Sequence, residues 1–393
     1  MYIITTQFIR TTRRYNMATQ PNKPEILDTL TRHRRALHLI PEIDVDLPKT
    51  RDYIMNIIGK MNCEITTVVQ TGLCAFYDKG KDSTVAFRSD MDALKVSEAN
   101  TFDYVSTHSG QMHACGHDGH MSMLLTFAEY VNSTNEFPHN ILLIFQPAEE
   151  TTGGAKEIAE SGIFEKYNVI RTFGIHLWPP LEKGQLATRS GALMAKSSEL
   201  TIEIEGKGAH AATAYEGIDA LHIAAQYLLD IYTMQETEIP PEERTLLKLC
   251  KMTSGTVRNA IAAHASLLGT MRAFDMNTFN YMEKRLREIA SQYEQQYGCK
   301  IDVHLTEGYL PVINDADLYK TIQPYLMKLE NYKELAEPVM ISEDFSFYGT
   351  KAPSVFMFLG TGSQFALHSD RFDFDEEILM AGYTFYQTVA AIQ

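Results

Sequence analysis

The spacing of apolar residues changes period several times along the chain. "KPEILDTLTRHRRALHLIPE" (23–42) carries them at helical spacing and stops at Pro41, which predicts a helix. A second helix is predicted around 50–61. Three short runs then have strand character: "EITTVVQ" (64–70), "LCAFYD" (73–78) and "STVAFRSD" (83–90). "HMSMLLTFAEYV" (120–131) returns to the helical period. "NILLIFQ" (140–146) is apolar nearly throughout, the pattern of a strand buried on both faces. "GGAKEIAESGIF" (153–164) reads as a helix and "VIRTFGIH" (169–176) as a strand. Strands alternating with helices predict an α/β domain whose central sheet is flanked by helices.

The pattern changes near Lys196. "SELTIEIEG" alternates as a strand, and "GIDALHIAAQYLLDIYTM" is helical. "TLLKLCKMTSG" and "ASLLGTMRAF" are strands, followed by the long helix "MNTFNYMEKRLREIASQYEQQYG" and the strand "KIDVHLTEG". The order β-α-β-β-α-β is the ferredoxin-like arrangement, and it closes near residue 308. After it, "ADLYKTIQPYLMKL", "SVFMFLG" and "EEILMAGYTFYQTVAAI" read as helix, strand and helix. The expected organisation is therefore a larger α/β domain, 23–195 plus 309–393, interrupted by a smaller inserted domain, 196–308. Residues 1–22 form an N-terminal extension. Its "MYIITTQFIRTTRRYNM" has three arginines and no acid, and reads as an extension ahead of Met17 more readily than as a transit peptide.

Composition narrows the function classes. The formal net charge of -15 argues against nucleic acid, whose binding needs basic patches. No apolar run approaches the ~18 residues of a membrane span. The five cysteines, at 63, 74, 115, 250 and 299, are scattered and odd in number. No disulfide framework is expected, and a reducing cytoplasm fits better.

The candidate chemistry begins in "MHACGHDGHM" (112–121), which holds His113, Cys115, His117, Asp118 and His120. A thiolate with imidazoles suits zinc and similar divalent ions. The stretch lacks paired CxxC spacing, so a buried cysteine among surface histidines explains it as well. Other strand ends change the balance. Glu149 and Glu150 follow the strand 140–146, His176 ends 169–176, and Asp92 follows 83–90 with Asp90 beside it. Sites in open α/β sheets lie beyond the carboxyl ends of the strands. In an adjacent Glu-Glu pair, one carboxylate can bind metal while its neighbour moves protons; a solvated helix start is the plainer alternative.

Taken together, "MHACGHDGH", "FQPAEETTGGA", "GIHLWP", "GKGAHAA", "GTMRAFD", "SEDFSFY" and "LHSDRFDFDE" resemble the motifs of the metal-dependent amidohydrolases related to aminoacylase. The nearest branch holds hippurate hydrolase, the auxin-conjugate hydrolases and N-acetyldiaminopimelate deacetylase, and "FQPAEETTGGAKEI" looks most like the last of these. The likeness runs from about Arg35 to the C-terminus. It implies two divalent ions, zinc or manganese, held by Cys115, His117, Glu150, His176 and His368. It also implies Glu149 as general base and Asp92 as the acid that orients the metal site. His113 and His120 match the pattern but are expected to pack or support rather than ligate. From the inserted lid, His210 would stabilise the oxyanion, while Asn259 and Arg272 would hold the substrate carboxylate.

The substrate implied is a small N-acyl amino acid, with N-acetyl-L,L-diaminopimelate leading, and the expected assembly is a homodimer through the inserted domain. Another N-acyl amino acid, a hippurate-like conjugate or a peptide is the alternative. A non-catalytic metal-binding protein is a further one, against which the intact Glu149 and the five candidate ligands weigh. Three departures fall where substrate would be held: "DALK" for the branch's "DALP", "TAY" (213–215) for a Pro-His pair, and "NAIA" for "NVIP".

Overall fold

The computed structural model describes residues 22–393, so the reading of the segment 1–17 lies outside the described residues. The chain opens with helices α1 (Lys23–His38) and α2 (Pro48–Ile58), then strands β1 (Glu64–Val68), β2 (Gly72–Tyr77) and β3 (Thr84–Asp90). Helix α3 (His117–Ser133) and strand β4 (Asn140–Gln146) follow, then α4 (Gly154–Glu160), α5 (Ile163–Lys166), β5 (Val169–Trp178), β6 (Leu186–Thr188) and β7 (Gly191–Met194). Next come β8 (Lys196–Glu205), α6 (Ala220–Glu238), β9 (Thr245–Ser254), β10 (His264–Ala273), α7 (Met276–Tyr297) and β11 (Lys300–Leu305). The chain closes with β12 (Val312–Asn314), α8 (Ala316–Leu326), β13 (Tyr332–Glu334), β14 (Ser354–Gly360) and α9 (Leu379–Ala390).

The fold is mixed α/β. An eight-stranded sheet has the order β1-β2-β4-β3-β5-β14-β6-β13. Its middle four strands, β4, β3, β5 and β14, run parallel. Every residue of β3, β4 and β14 is buried, as near-continuous apolar runs require when helices cover both faces. A separate antiparallel sheet, β11-β8-β10-β9, packs against α6 and α7 over its own apolar cluster, which includes Ile202, Tyr227, Leu267 and Leu286. No helix among the described residues is long and apolar enough to cross a membrane.

One local reading is corrected, and four short strands are added. The single helix expected over 153–164 is two, because the chain takes a positive φ of 83° at Gly162 and restarts. The strands β6, β7, β12 and β13 had no expectation; at three or four residues they are too short to show a period.

Helix α1 anchors the start of α3. Arg34 is buried, and its guanidinium reaches Asp118 (3.0 Å), Asp373 (2.5 Å) and Glu376 (3.2 Å). His38 Nδ1 lies 2.8 Å from Asp118 and Nε2 lies 3.0 Å from Glu98. Both partners are carboxylates, so both ring nitrogens donate and His38 is an imidazolium. Burial alone would lower its pKa, but Asp118 and Glu98 outweigh it and raise it to about 9. The unfolded value is about 6.5. The stabilisation is therefore complete below about pH 6.5 and fades as pH rises through 9. Urea unfolding between pH 6 and 10 should show this slope, and His38→Gln should flatten it. An unchanged slope would mean that His38 is neutral in the folded chain.

Candidate metal centre

The parallel strands deliver their carboxyl ends to one place. Asp92 follows β3, Glu149 and Glu150 follow β4, His176 lies near the end of β5, and the turn bearing His368 follows β14. His117 opens α3 and Cys115 precedes it. The structure brings the five candidate ligands together. Glu150 Oε1 lies 3.3 Å from His368 Nε2 and 3.9 Å from His117 Nε2, and Cys115 Sγ lies 3.5 Å from His176 Nε2. Ligand atoms of Cys115, Glu150 and His368 all fall within 4.8 Å of one another. So do those of His117, Glu149 and Glu150.

The tautomers are set from outside the cluster. His117 Nδ1–H donates to the Asp92 carbonyl (2.9 Å), and His176 Nδ1–H donates to the Leu177 carbonyl (2.7 Å). In its neutral form each ring therefore turns an Nε2 lone pair towards the centre, as such Nδ1 bonds do for metal-ligating imidazoles. His117 Nε2 and Glu150 Oε1 are buried without a hydrogen-bond partner. Buried polar atoms rarely stay unpaired, and these two face a set of thiol, imidazole and carboxylate donors. The residues present thus fit divalent ions of the zinc type. Two of the carrying turns are in the left-handed region, with φ of 66° at His368 and 61° at Ala148. Strain of this kind concentrates at functional sites.

Asp92 works through the backbone. Its two carboxylate oxygens accept the N–H groups of Glu149 and Glu150, each at 3.0 Å. It thereby fixes the turn that presents both glutamates, while its carbonyl orients His117.

The electrostatics separate the neighbouring glutamates. Burial would raise Glu150, but His368 and His117 outweigh it and pull it down to about 2. Glu149 is held well above the usual carboxylate range, by burial first and then by Glu343 and Glu150. Burial and the two glutamates also push the Cys115 thiol up.

His120 is consumed structurally: Nδ1–H donates to Asp90 (2.6 Å), and Nε2 accepts from the Leu177 N–H (2.9 Å). His113 is buried with neither ring nitrogen bonded, and burial lowers its pKa to about 3. His120 lies within 4.8 Å of Asp90, His117 and His176, but both of its ring nitrogens are already hydrogen-bonded.

A cleft of ≈ 820 Å³ opens over the cluster. Cys115, Glu149, Glu150, His176, His368 and Arg272 line it. Arg272 is half-buried, donates to the Met340 carbonyl, and makes no ion pair among the described residues. His210 and Asn259 do not line this cleft. His210 is exposed, caps the turn after β8 by accepting the Ala212 N–H (3.1 Å), and pairs with Ala260. The departures at Lys95, 213–215 and 259–262 are also absent from the cleft lining.

Sequence reasoning passed over Arg88, Glu343 and Asp344. Buried Arg88 reaches Asp90 (2.9 Å), Glu343 (3.0 Å) and Asp344 (2.8 Å), and Glu343 lines the cleft beside Glu149. A charged residue within the buried run "STVAFRSD" was the available signal, since a buried guanidinium must be paired.

Comparisons with known proteins agree with this geometry. Residues 86–391 match the model of Peptidase family M20/M25/M40. The N-acetyldiaminopimelate deacetylase of Streptococcus sanguinis (strain SK36) is 37% identical over 354 residues, covering 88% of this chain and 93% of the relative. An uncharacterized hydrolase of Staphylococcus aureus (strain bovine RF122 / ET3-1) is 31% identical, covering 92% and 97%. Among solved structures, the YXEP protein of Bacillus subtilis, described as a dinuclear metal binding peptidase, superposes with a TM-score of 0.82 at 27% identity. That match covers 94% of this chain and 98% of the other. With the motifs, the parallel-strand site and these likenesses in agreement, the chain is a hydrolase of the peptidase family M20/M25/M40.

Proposed function

We propose that this chain removes the acyl group from an N-acyl amino acid, and that N-acetyl-L,L-diaminopimelate, as in lysine biosynthesis, is its substrate. The carrying observation is the contrast between adjacent carboxylates: both reach His117, but Glu150 also groups with Cys115 and His368, while Glu149 groups with Glu343 and Asp344. The 37% identity to a named deacetylase supports the choice of substrate. Cys115, His117, Glu150, His176 and His368 would hold two divalent ions, zinc or manganese. When bound, such ions polarise a carbonyl and acidify water. With the ions' positive charge beside it, Glu149 would be ionised, accept the proton of the attacking water and deliver it to the leaving amine. Acetate release from a panel of N-acetyl amino acids, with metal analysis of the same sample, tests this reading. Full metal content without acetate release from any of them would overturn it.

A larger acyl group is the second reading, favoured by Trp178, Phe347 and Leu367 in the cleft wall. The proposed lid is 196–308, carried between 23–195 and 309–393 and built on its own apolar cluster. Pairing of two such lids in a cytoplasmic homodimer is part of the proposal, supported by the exposed Leu221, Leu229 and Val257 on that unit. His210 and Asn259 would then serve a cleft only after the lid moves or from a second copy.

Arg272 would bind the substrate carboxylate through its planar fork. Charge-assisted hydrogen bonds contribute about 1.5–3 kcal/mol. Arg272→Ala should therefore lower kcat/KM for the free acid by roughly 10–100-fold. The corresponding amide should lose little, and Arg272→Lys should recover part of the activity. Equal losses on acid and amide would show that Arg272 only ties down the Met340 loop.

A further inference from the structure

We infer that Tyr309 is a positioning residue that sets the Glu149 turn and ties it to the crossing where the chain enters and leaves the four-stranded sheet. This rests on the reading of Glu149 as the proton carrier. Tyr309 donates its hydroxyl to the Glu149 carbonyl oxygen at 2.6 Å. Its ring lies against Gly153, where an added Cβ would fall 2.7 Å from Tyr309 Cε1. The turn between them is a closed unit, since the Gly153 N–H donates to the Ala148 carbonyl (2.8 Å) and Ala148 has a φ of 61°. Tyr309 thus bonds one side of a strained turn and packs on the other. Asp92 holds the Glu149 and Glu150 N–H groups of the same turn, so the carbonyl contact from Tyr309 complements it.

The far end of Tyr309 is equally fixed. The chain enters the four-stranded sheet at Ala195–Lys196 and leaves it between β11 and β12. The passages touch: Ser197 bridges to Tyr309, and the Lys196 ammonium donates to the Glu307 carbonyl (2.7 Å). Gly308 has a φ of 57°, and a Cβ there would lie 1.7 Å from the Ser197 carbonyl oxygen. Backbone meets backbone, a contact that only glycine permits. Tyr309 follows this crossing directly, so a movement of the four-stranded unit about it carries the phenol and pulls on the Glu149 turn. Placement errors of about 1 Å at a reacting group cost up to ~10²-fold in rate.

Tyr309→Phe keeps the ring on Gly153 and deletes only the hydroxyl. Its kcat should fall about tenfold, with KM and metal content unchanged. On a Glu149→Asp background the same substitution should cost much less, since groups acting through one another are non-additive. Hydrogen–deuterium exchange across 148–154 should quicken in the variant whether or not the chosen substrate is turned over. Unchanged exchange and unchanged kcat would overturn the assignment. Equal losses on both backgrounds would also overturn it, by making Tyr309 a structural residue independent of Glu149. If wild type releases no product but exchange across 148–154 responds to Tyr309→Phe, the functional reading fails and the link to the turn stands.

Discussion

Glu149→Gln is expected to leave the fold and the bound metal intact while turnover falls by about 10²–10⁴-fold, the range of general acid–base contributions. The amide matches the carboxylate in shape but has no basic oxygen to take the proton. The backbone around it should not move, because the Glu149 N–H is held by Asp92 and its carbonyl by Tyr309, and neither bond uses the side chain. Stability should not fall. Glu149 is buried near Glu343 and Asp344, and burial and these neighbours raise its pKa while no ion is bound beside it, so a neutral amide adds no unpaired charge. The measurements are kcat, metal content and urea unfolding on one preparation. Loss of metal with retained turnover would reverse the roles of the two glutamates.

The sequence made the frame of this site readable, though not all of its supports. Strands β3, β4 and β5 and helix α3 were legible because a strand buried on both faces is apolar throughout, and the ligand types follow those runs directly. His368 was legible only through resemblance, since it lies on an irregular turn with no periodic pattern beside it. The pairing of Arg88 with Glu343 and Asp344 spans more than half of the chain and is set by tertiary packing, which no local period encodes. Tyr309 was hidden for the same reason: its partner is a backbone carbonyl 160 residues away. The cleft positions of His210 and Asn259 were expected from motif order alone. Motif order fixes the strand that carries a residue, but not where the unit containing that strand sits relative to the cleft.

Glu150→Gln should have the opposite signature to Glu149→Gln. Glu150 Oε1 is buried and unbonded, faces His368 and His117, and has its pKa pulled down to about 2, so the carboxylate is ionised at every working pH. An amide there removes a full negative charge between the candidate ligands. Losing even a supporting partner of a metal ligand costs roughly 10–100-fold in affinity, so a ligand itself should cost at least that. Protein purified without chelators should fall from two divalent ions per chain in wild type to fewer in Glu150→Gln, with activity partly restored by excess metal. Uptake by the wild-type apoprotein should also depend on pH with a definite sign. Before metal binds, the Cys115 thiol is pushed well above its usual range. Burial would lower His117, but Asp90, Asp92 and Glu150 outweigh it and raise it to about 10. An ion must displace those protons, so apparent affinity rises with pH up to about 10, and protons are released on binding. Calorimetric titration at pH 6.5 and 8.5, in buffers of different ionisation enthalpy, measures both quantities. Tighter binding at the lower pH, or Glu150→Gln retaining both ions, would remove Glu150 and its neighbours from the ligand set.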